Sequence, residues 1–206
     1  MARRLLLGGL DSFVADYTII AEVSETLRTA LHNALQALSP PATAEVHDLQ
    51  GNISTSPARI TVFLYEVVED PSTRNRPAGR RVDPMTNDVV TQKTPLKLVL
   101  RYLLTPWGAD RRTDQIILAR ALQVLYDDAI LSGPQVTARL QITNEVLKVT
   151  LTPLTLEERT RVWHSVQKPY RLSVAYEVRV INLDAIEEET LTPVSERGLD
   201  FAEAGA

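Results

Sequence analysis

The sequence predicts an α+β fold: a single domain with a mixed β-sheet packed by two or three α-helices, one long irregular loop and an acidic C-terminal tail. Three observations lead there. Two long segments place apolar residues at three- and four-residue spacing, the period of a helix with one buried face. Others alternate apolar and polar residues, or run apolar on both sides, as strands do. The two kinds are interleaved without the regular glycine-punctuated βαβ alternation of a parallel sheet. At 206 residues, 44% of them hydrophobic, the chain is long enough for one domain with a real core.

Asp16–Leu38 reads as a helix, because Ile20, Val23, Leu27, Leu31, Ala34 and Leu38 share a face. Asp16 or Thr18 is placed to cap it, and Ser39-Pro40-Pro41 ends it. Ala58–Val68 reads as a strand apolar on both faces, with Ile60, Val62 and Leu64 alternating with Thr61, Phe63 and Tyr65. Glu69–Thr94 has no periodicity and reads as a structureless loop. Leu96–Leu104 is a strand, and Thr113–Ile130 a helix stopped by Ser132-Gly133-Pro134.

Val136–Ile142 and Val146–Leu151 look like short strands around Asn144. Thr155-Leu156-Glu157-Glu158 matches a capping box, opening a helix that carries Leu156, Trp163 and Val166 inward. The last strand, Tyr170–Leu183, puts Leu172, Val174, Tyr176, Val178 and Val180 on a core face. Arg171, Ser173, Ala175, Glu177 and Arg179 fall on the other, which faces solvent or a partner. Prolines mark the boundaries: Pro57, Pro95, Pro134 and Pro169 precede strand-like runs, and Pro106 and Pro153 follow them.

This gives three parts: a mobile extension over residues 1–15, the domain over 16–184, and an acidic arm over 185–206. Arg3 and Arg4 imitate the start of a signal peptide, but Leu5–Leu7 is too short an apolar stretch to complete one. Residues 1–13 also read as an upstream extension, with Val14 as an alternative start. No apolar run approaches the length of a membrane span.

Several chemistries find no support. There is no cysteine, so disulfides, thiolate metal sites and cysteine nucleophiles are excluded. His32, His47 and His164 have no second ligand at metal spacing on a shared helix face, so no metal is expected. No phosphate-binding glycine loop, dinucleotide fingerprint or nucleophile elbow occurs, so no cofactor and no catalytic residues are expected. Glu157-Glu158 sits in a helical first turn, where the helix dipole already favours acids.

Two charged segments are candidate protein contacts. Pro71–Val82 holds Arg74, Arg76, Arg80 and Arg81 with no acid among them, suited to bidentate pairing with carboxylates. Beyond residue 183, seven acids including Glu187, Glu188 and Glu189 stand against Arg197 alone, leaving the rest of the chain near neutral within a total charge of −4. The Ala185–Leu191 piece suits an extended strand along an open sheet edge. An adaptor or nucleic-acid-associated module using the arginine segment is the alternative. The lack of interleaved aromatics and the flanking Glu69, Asp70, Asp83 and Asp88 count against nucleic acid. Trp107 and Trp163 read as core residues, with Trp107 closing the end of a strand.

Tyr17–Leu35, Ile60–Pro77, Pro95–Trp107, Gln115–Ile130 and Leu156–Asp184, taken in that order, resemble the tail-terminator or cap proteins of phage-tail-like contractile injection systems. The resemblance covers residues 16–184 and rests on the set rather than on one motif. It implies a non-enzymatic protein that forms a homohexameric ring at the distal end of the inner tube and contractile sheath. Such a ring ends polymerisation and links sheath to tube. Its implied partners are further copies of itself and the tube and sheath proteins, with no nucleic acid and no membrane span. It would be assembled in the bacterial cytoplasm as part of a particle that can be released.

Overall fold

A computed structural model describes residues 17–71, 79–82, 89–92, 96–183 and 188–191. The expected extension over 1–15 lies outside these residues, as does the arm apart from 188–191. A six-stranded mixed sheet forms the centre. Its strands are β1 (Thr43–Val46), β2 (Arg59–Glu69), β5 (Leu96–Trp107), β6 (Ile130–Leu131), β7 (Leu147–Thr152) and β8 (Val174–Leu183). Their spatial order is β1-β2-β5-β8-β7-β6; β1 and β2 are parallel, and every other pair is antiparallel. A second, three-stranded sheet has the order β3-β4-β9, from β3 (Gly79–Val82), β4 (Val89–Gln92) and β9 (Glu188–Leu191).

Four helices pack on the large sheet, one more than the upper expectation. On one face lie α1 (Ile19–Leu35), α2 (Arg111–Asp127) and the short α3 (Ala138–Ile142). Val23, Leu27, Leu31 and Leu35 recur every three to four residues along α1 and are buried against Ile60, Val62, Leu100, Leu104 and Val178. The Tyr102 hydroxyl shares a 2.9 Å hydrogen bond with Ser24, joining α1 to β5; burial pushes this phenol well above its ordinary pKa. Thr18 stands at the α1 N-terminus without capping it; its hydroxyl accepts from Arg139 of α3 at 2.7 Å, while Asp16 lies outside the described residues.

The expected strand Val136–Ile142 is instead the end of a 3-10 turn, Gly133–Gln135, followed by α3. Apolar residues at 136, 140 and 142 fit either period, but only Val136 and Leu140, four apart, are buried, and Ile142 is exposed. Arg139, Leu140 and Gln141 are good helix formers.

The opposite face of β8 is buried at Ala175 and Glu177 and exposed at Arg179. The helix α4 (Leu156–Ser165) lies over it with the 47–57 segment. Ser173 and Ala175 are small, and this leaves room for Trp163, which is buried against Leu103, Ala175, Leu49 and Ile53. The capping box of α4 is formed: Glu158 N–H donates to Thr155 Oγ1 at 3.2 Å, and Thr155 N–H donates to the Glu158 carboxylate at 2.7 Å. Leu156 points outward, contrary to expectation, because it occupies the first position after the cap, away from the Trp163 face.

The expected structureless loop Glu69–Thr94 contains β3 and β4. Strands of four residues are too short to reveal alternation, and β4 is held from both sides, by β3 and by β9. The strand β1 was also unexpected for its length. The strand β5 runs through Pro106, which proline normally forbids in a central strand. Here β8 ends its pairing at Leu104, so the missing N–H of Pro106 interrupts no ladder on that side.

Two outcomes follow. Trp163→Ala lowers unfolding free energy by about 3–5 kcal/mol in chemical denaturation, with the loss arising from the cavity it leaves. A loss near that of an exposed residue contradicts the burial of α4. Thr155→Ala costs about 1 kcal/mol. The backbone and side-chain hydrogen bonds from Thr155 hold the Glu158 carboxyl below its usual pKa, so the folded state gains from the ionised form. That contribution is full above the ordinary carboxylate pKa of about 4.3 and is lost as pH falls through the lower folded value. Thr155→Ala keeps the backbone N–H and removes the hydroxyl's share of this contribution, so the melting-temperature gap between parent and variant narrows modestly in acid; a gap that widens refutes the assignment.

Candidate assembly interface

The candidate contact residues divide by location. Arg80 and Arg81 belong to β3, and Glu188 and Glu189 to β9. Arg74, Arg76 and Glu187 lie outside the described residues. The two charged segments, separate in the sequence, are brought into one small sheet on either side of β4. Arg80, Thr91 and Glu189 share one register position; Arg81, Val90 and Thr190 share the next; Gly79, Gln92 and Glu188 occupy the one on the other side. The small sheet takes its order from the large one. β4 precedes β5 and β9 follows β8, and both pairs are antiparallel, while β3 follows β2 on the other side.

A second feature, missed by sequence reasoning, is a polar junction at the opposite end of β8. Asp110 caps α2 by accepting the Thr113 N–H at 2.8 Å, and this bond holds its carboxyl below the usual range. One turn on, buried Asp114 accepts from Gly108 N–H at 2.6 Å and from Arg171 Nη2 at 2.8 and 3.0 Å. Arg171 Nε donates to the Pro106 carbonyl at 2.9 Å, and its guanidinium lies 4.5 Å from the centre of the Trp107 ring. Trp107 in turn donates to Thr61 Oγ1 at 2.9 Å and sits 6.5 Å from Trp163. Gly108 is required for this close approach: a Cβ there would lie 2.7 Å from the Thr113 methyl. The junction borders an open cleft of about 690 Å³ that also meets Tyr170 and Leu172. Its polar groups are directed at each other, so its geometry fixes elements rather than presenting a reactive group.

A third cluster crosses the sheet beyond α4. Arg101 bridges Glu66 at 2.7 Å and Glu177 at 3.5 Å, and Glu177 is also paired with Arg179. The hydrogen bond to Glu66 raises the Arg101 pKa further. His32 and His47 use Nδ1 to accept backbone N–H groups of Ala44 (3.4 Å) and Leu49 (2.8 Å), and His164 is exposed on α4. Among the described residues no group of three or more His, Cys, Asp or Glu is placed to hold a metal ion, and no helix is long and apolar enough to cross a membrane.

The family model described as the Pvc16 N-terminal domain matches residues 22–197. The chain belongs to that family. The match takes in α1 from Glu22 onward, the whole six-stranded sheet and β9. Among solved structures, the fold is similar to the PVC sheath/tube terminator of an extracellular contractile injection system in its extended state. That likeness has a TM-score of 0.62 and 19% identity over 91% of this chain and 64% of the other. It is also similar to the tube-terminating cap of the anti-feeding prophage, with a TM-score of 0.55 and 17% identity over 93% of this chain and 63% of the other. The chain thus spans a little under two thirds of either structure. No curated protein matched it in sequence.

The junction yields its own test. Arg171→Ala leaves the buried Asp114 carboxylate with the Gly108 N–H but no cation, and the Pro106 carbonyl without this donor, and costs about 2–3 kcal/mol in denaturant unfolding. Arg171→Lys recovers only part of this, because an ammonium lacks the planar fork that reaches both acceptors. Full recovery with lysine shows that only the charge matters there.

Proposed function

We propose that this chain is a structural terminator of a contractile, phage-tail-like injection particle. The observation that carries the reading is the family match over residues 22–197, joined by likeness of fold to two tube terminators over more than nine tenths of the chain. In this reading the chain forms a homohexameric ring at the distal end of the inner tube and sheath. The ring halts subunit addition and ties the last sheath layer to the tube. Its partners are its own copies and the tube and sheath proteins, and it carries out no catalysis. It joins the particle in the bacterial cytoplasm and leaves with it. The charged strands β3 and β9 are its contact elements, together with Arg74, Arg76 and Glu187 in the adjoining segments.

The physical support is the kind of surface available. The polar clusters of the body are internally paired, as at Arg171–Asp114 and Arg101–Glu177, which suits a rigid scaffold better than a reaction site. Immunogold labelling of particles in negative stain tests the reading. Gold is expected at a single end of each rod. Intact rods that stay unlabelled, while an antibody control shows the epitope accessible, overturn it.

A further inference from the structure

The sheet edges of this protein are treated in two different ways. Those of the large sheet are covered in part. At β1, the outward Ala42 N–H donates to Leu35 O at 3.2 Å, Gln36 Nε2 donates to Ala42 O at 3.0 Å, and Ala44 N–H reaches His32 Nδ1 at 3.4 Å. At the other side, β6 is two residues long and is followed by the Pro134 turn. The small sheet has no such protection among the described residues: β3 and β9 each have a ladder partner on one side only. An edge strand with open N–H and C=O groups is a template for pairing with another chain.

The chemistry of the two open edges is complementary. The strand β3 reads Gly-Arg-Arg-Val, and β9 reads Glu-Glu-Thr-Leu. Arg80 and Glu189 occupy the same register position across the sheet. Both strands are antiparallel to β4, so they run in the same direction.

From this we infer that β9 of one copy pairs with β3 of the next, continuing the small sheet from chain to chain. The occupant of each open edge is a second copy of this protein. The contact is head-to-tail, and a rotation about an axis along the strands repeats it until the assembly closes. Parallel pairing of four residues is weak alone, but closure gives each copy two junctions. Arginines against glutamates fix which edges meet and disfavour pairing of like edges. The junction supplies the ring contact of the proposed terminator and rests on that reading only for closure into a ring.

A charge-swap experiment tests it. One variant carries Arg80→Glu and Arg81→Glu, making both edges acidic. The other carries Glu188→Lys and Glu189→Lys, making both basic. Parent chain should self-associate in native mass spectrometry at high concentration. Each variant alone should remain monomeric with an unchanged circular dichroism spectrum, and an equimolar mixture should assemble with the two chains alternating. Parent chain that stays monomeric, variants that assemble alone, or a mixture that does not assemble each overturn the junction.

Because the chain has no cysteine, a second measurement covers loss of folding in the swapped variants. Arg80→Cys and Glu189→Cys singles should form disulfide-linked dimers when mixed under oxidation, and neither should do so alone. Dimers from one variant alone indicate a symmetric contact and refute the head-to-tail arrangement. Particles from cells carrying the charge variants separate this inference from the terminator reading. Rods capped by either variant alone remove the junction and leave the terminator; rods whose ends never carry even the parent chain remove the terminator.

Discussion

Arg171 is the point at which the body of this protein is held together. One guanidinium joins the first turn of α2 through Asp114, the end of β5 through the Pro106 carbonyl, and the aromatic pair between sheet and α4 through Trp107. The residue lies just before β8, the strand that pairs with both β5 and β7. Both helical layers and the central ladder are therefore referenced to one side chain. The interaction is strong because its partners are fixed: Asp114 is oriented by the Gly108 N–H, and the ring of Trp107 by Thr61. It also explains a proline in a central strand, since the carbonyl of Pro106 is taken by Arg171 at a level where β8 no longer pairs.

That arrangement determines how the two sheets can act. The three central strands β2, β5 and β8 each have a ladder partner on both sides, and helices pack on both faces of the sheet they form. The small sheet is tied to them by continuing chain and repeats their order, yet its three strands are short. Rigid body and open-edged extension are different physical devices in one domain. A scaffold protein gains from both: the first sets geometry, and the second offers backbone hydrogen bonds to another chain.

The sequence made the long, periodic and locally capped elements legible. The spacing of Val23, Leu27 and Leu31 announces α1, and Thr155 with Glu158 announces α4 within four residues. What stayed hidden depends on distant partners. β4 shows no pattern of its own and exists because β3 and β9 flank it. The Asp114–Arg171 pair joins residues 57 apart in the chain, with no local signal at either end. The back face of β8 reads as facing solvent or a partner because Ser173, Ala175 and Glu177 are small or polar, but the small residues there make room for Trp163 and the acid pairs with Arg101. Of the candidate contact residues, their charge was visible in the sequence, while the placement of Arg80 and Glu189 on one register was not.

In the proposed role the chain ends the growth of a tube and its sheath. The most direct measurement is the length distribution of rods from a particle-producing strain in which the chain is deleted, compared with the same strain expressing it again. Deletion of a terminator removes the defined rod length, giving tubes and sheaths of broad and greater length, and re-expression restores it. Rods of unchanged length in the deletion strain would contradict it.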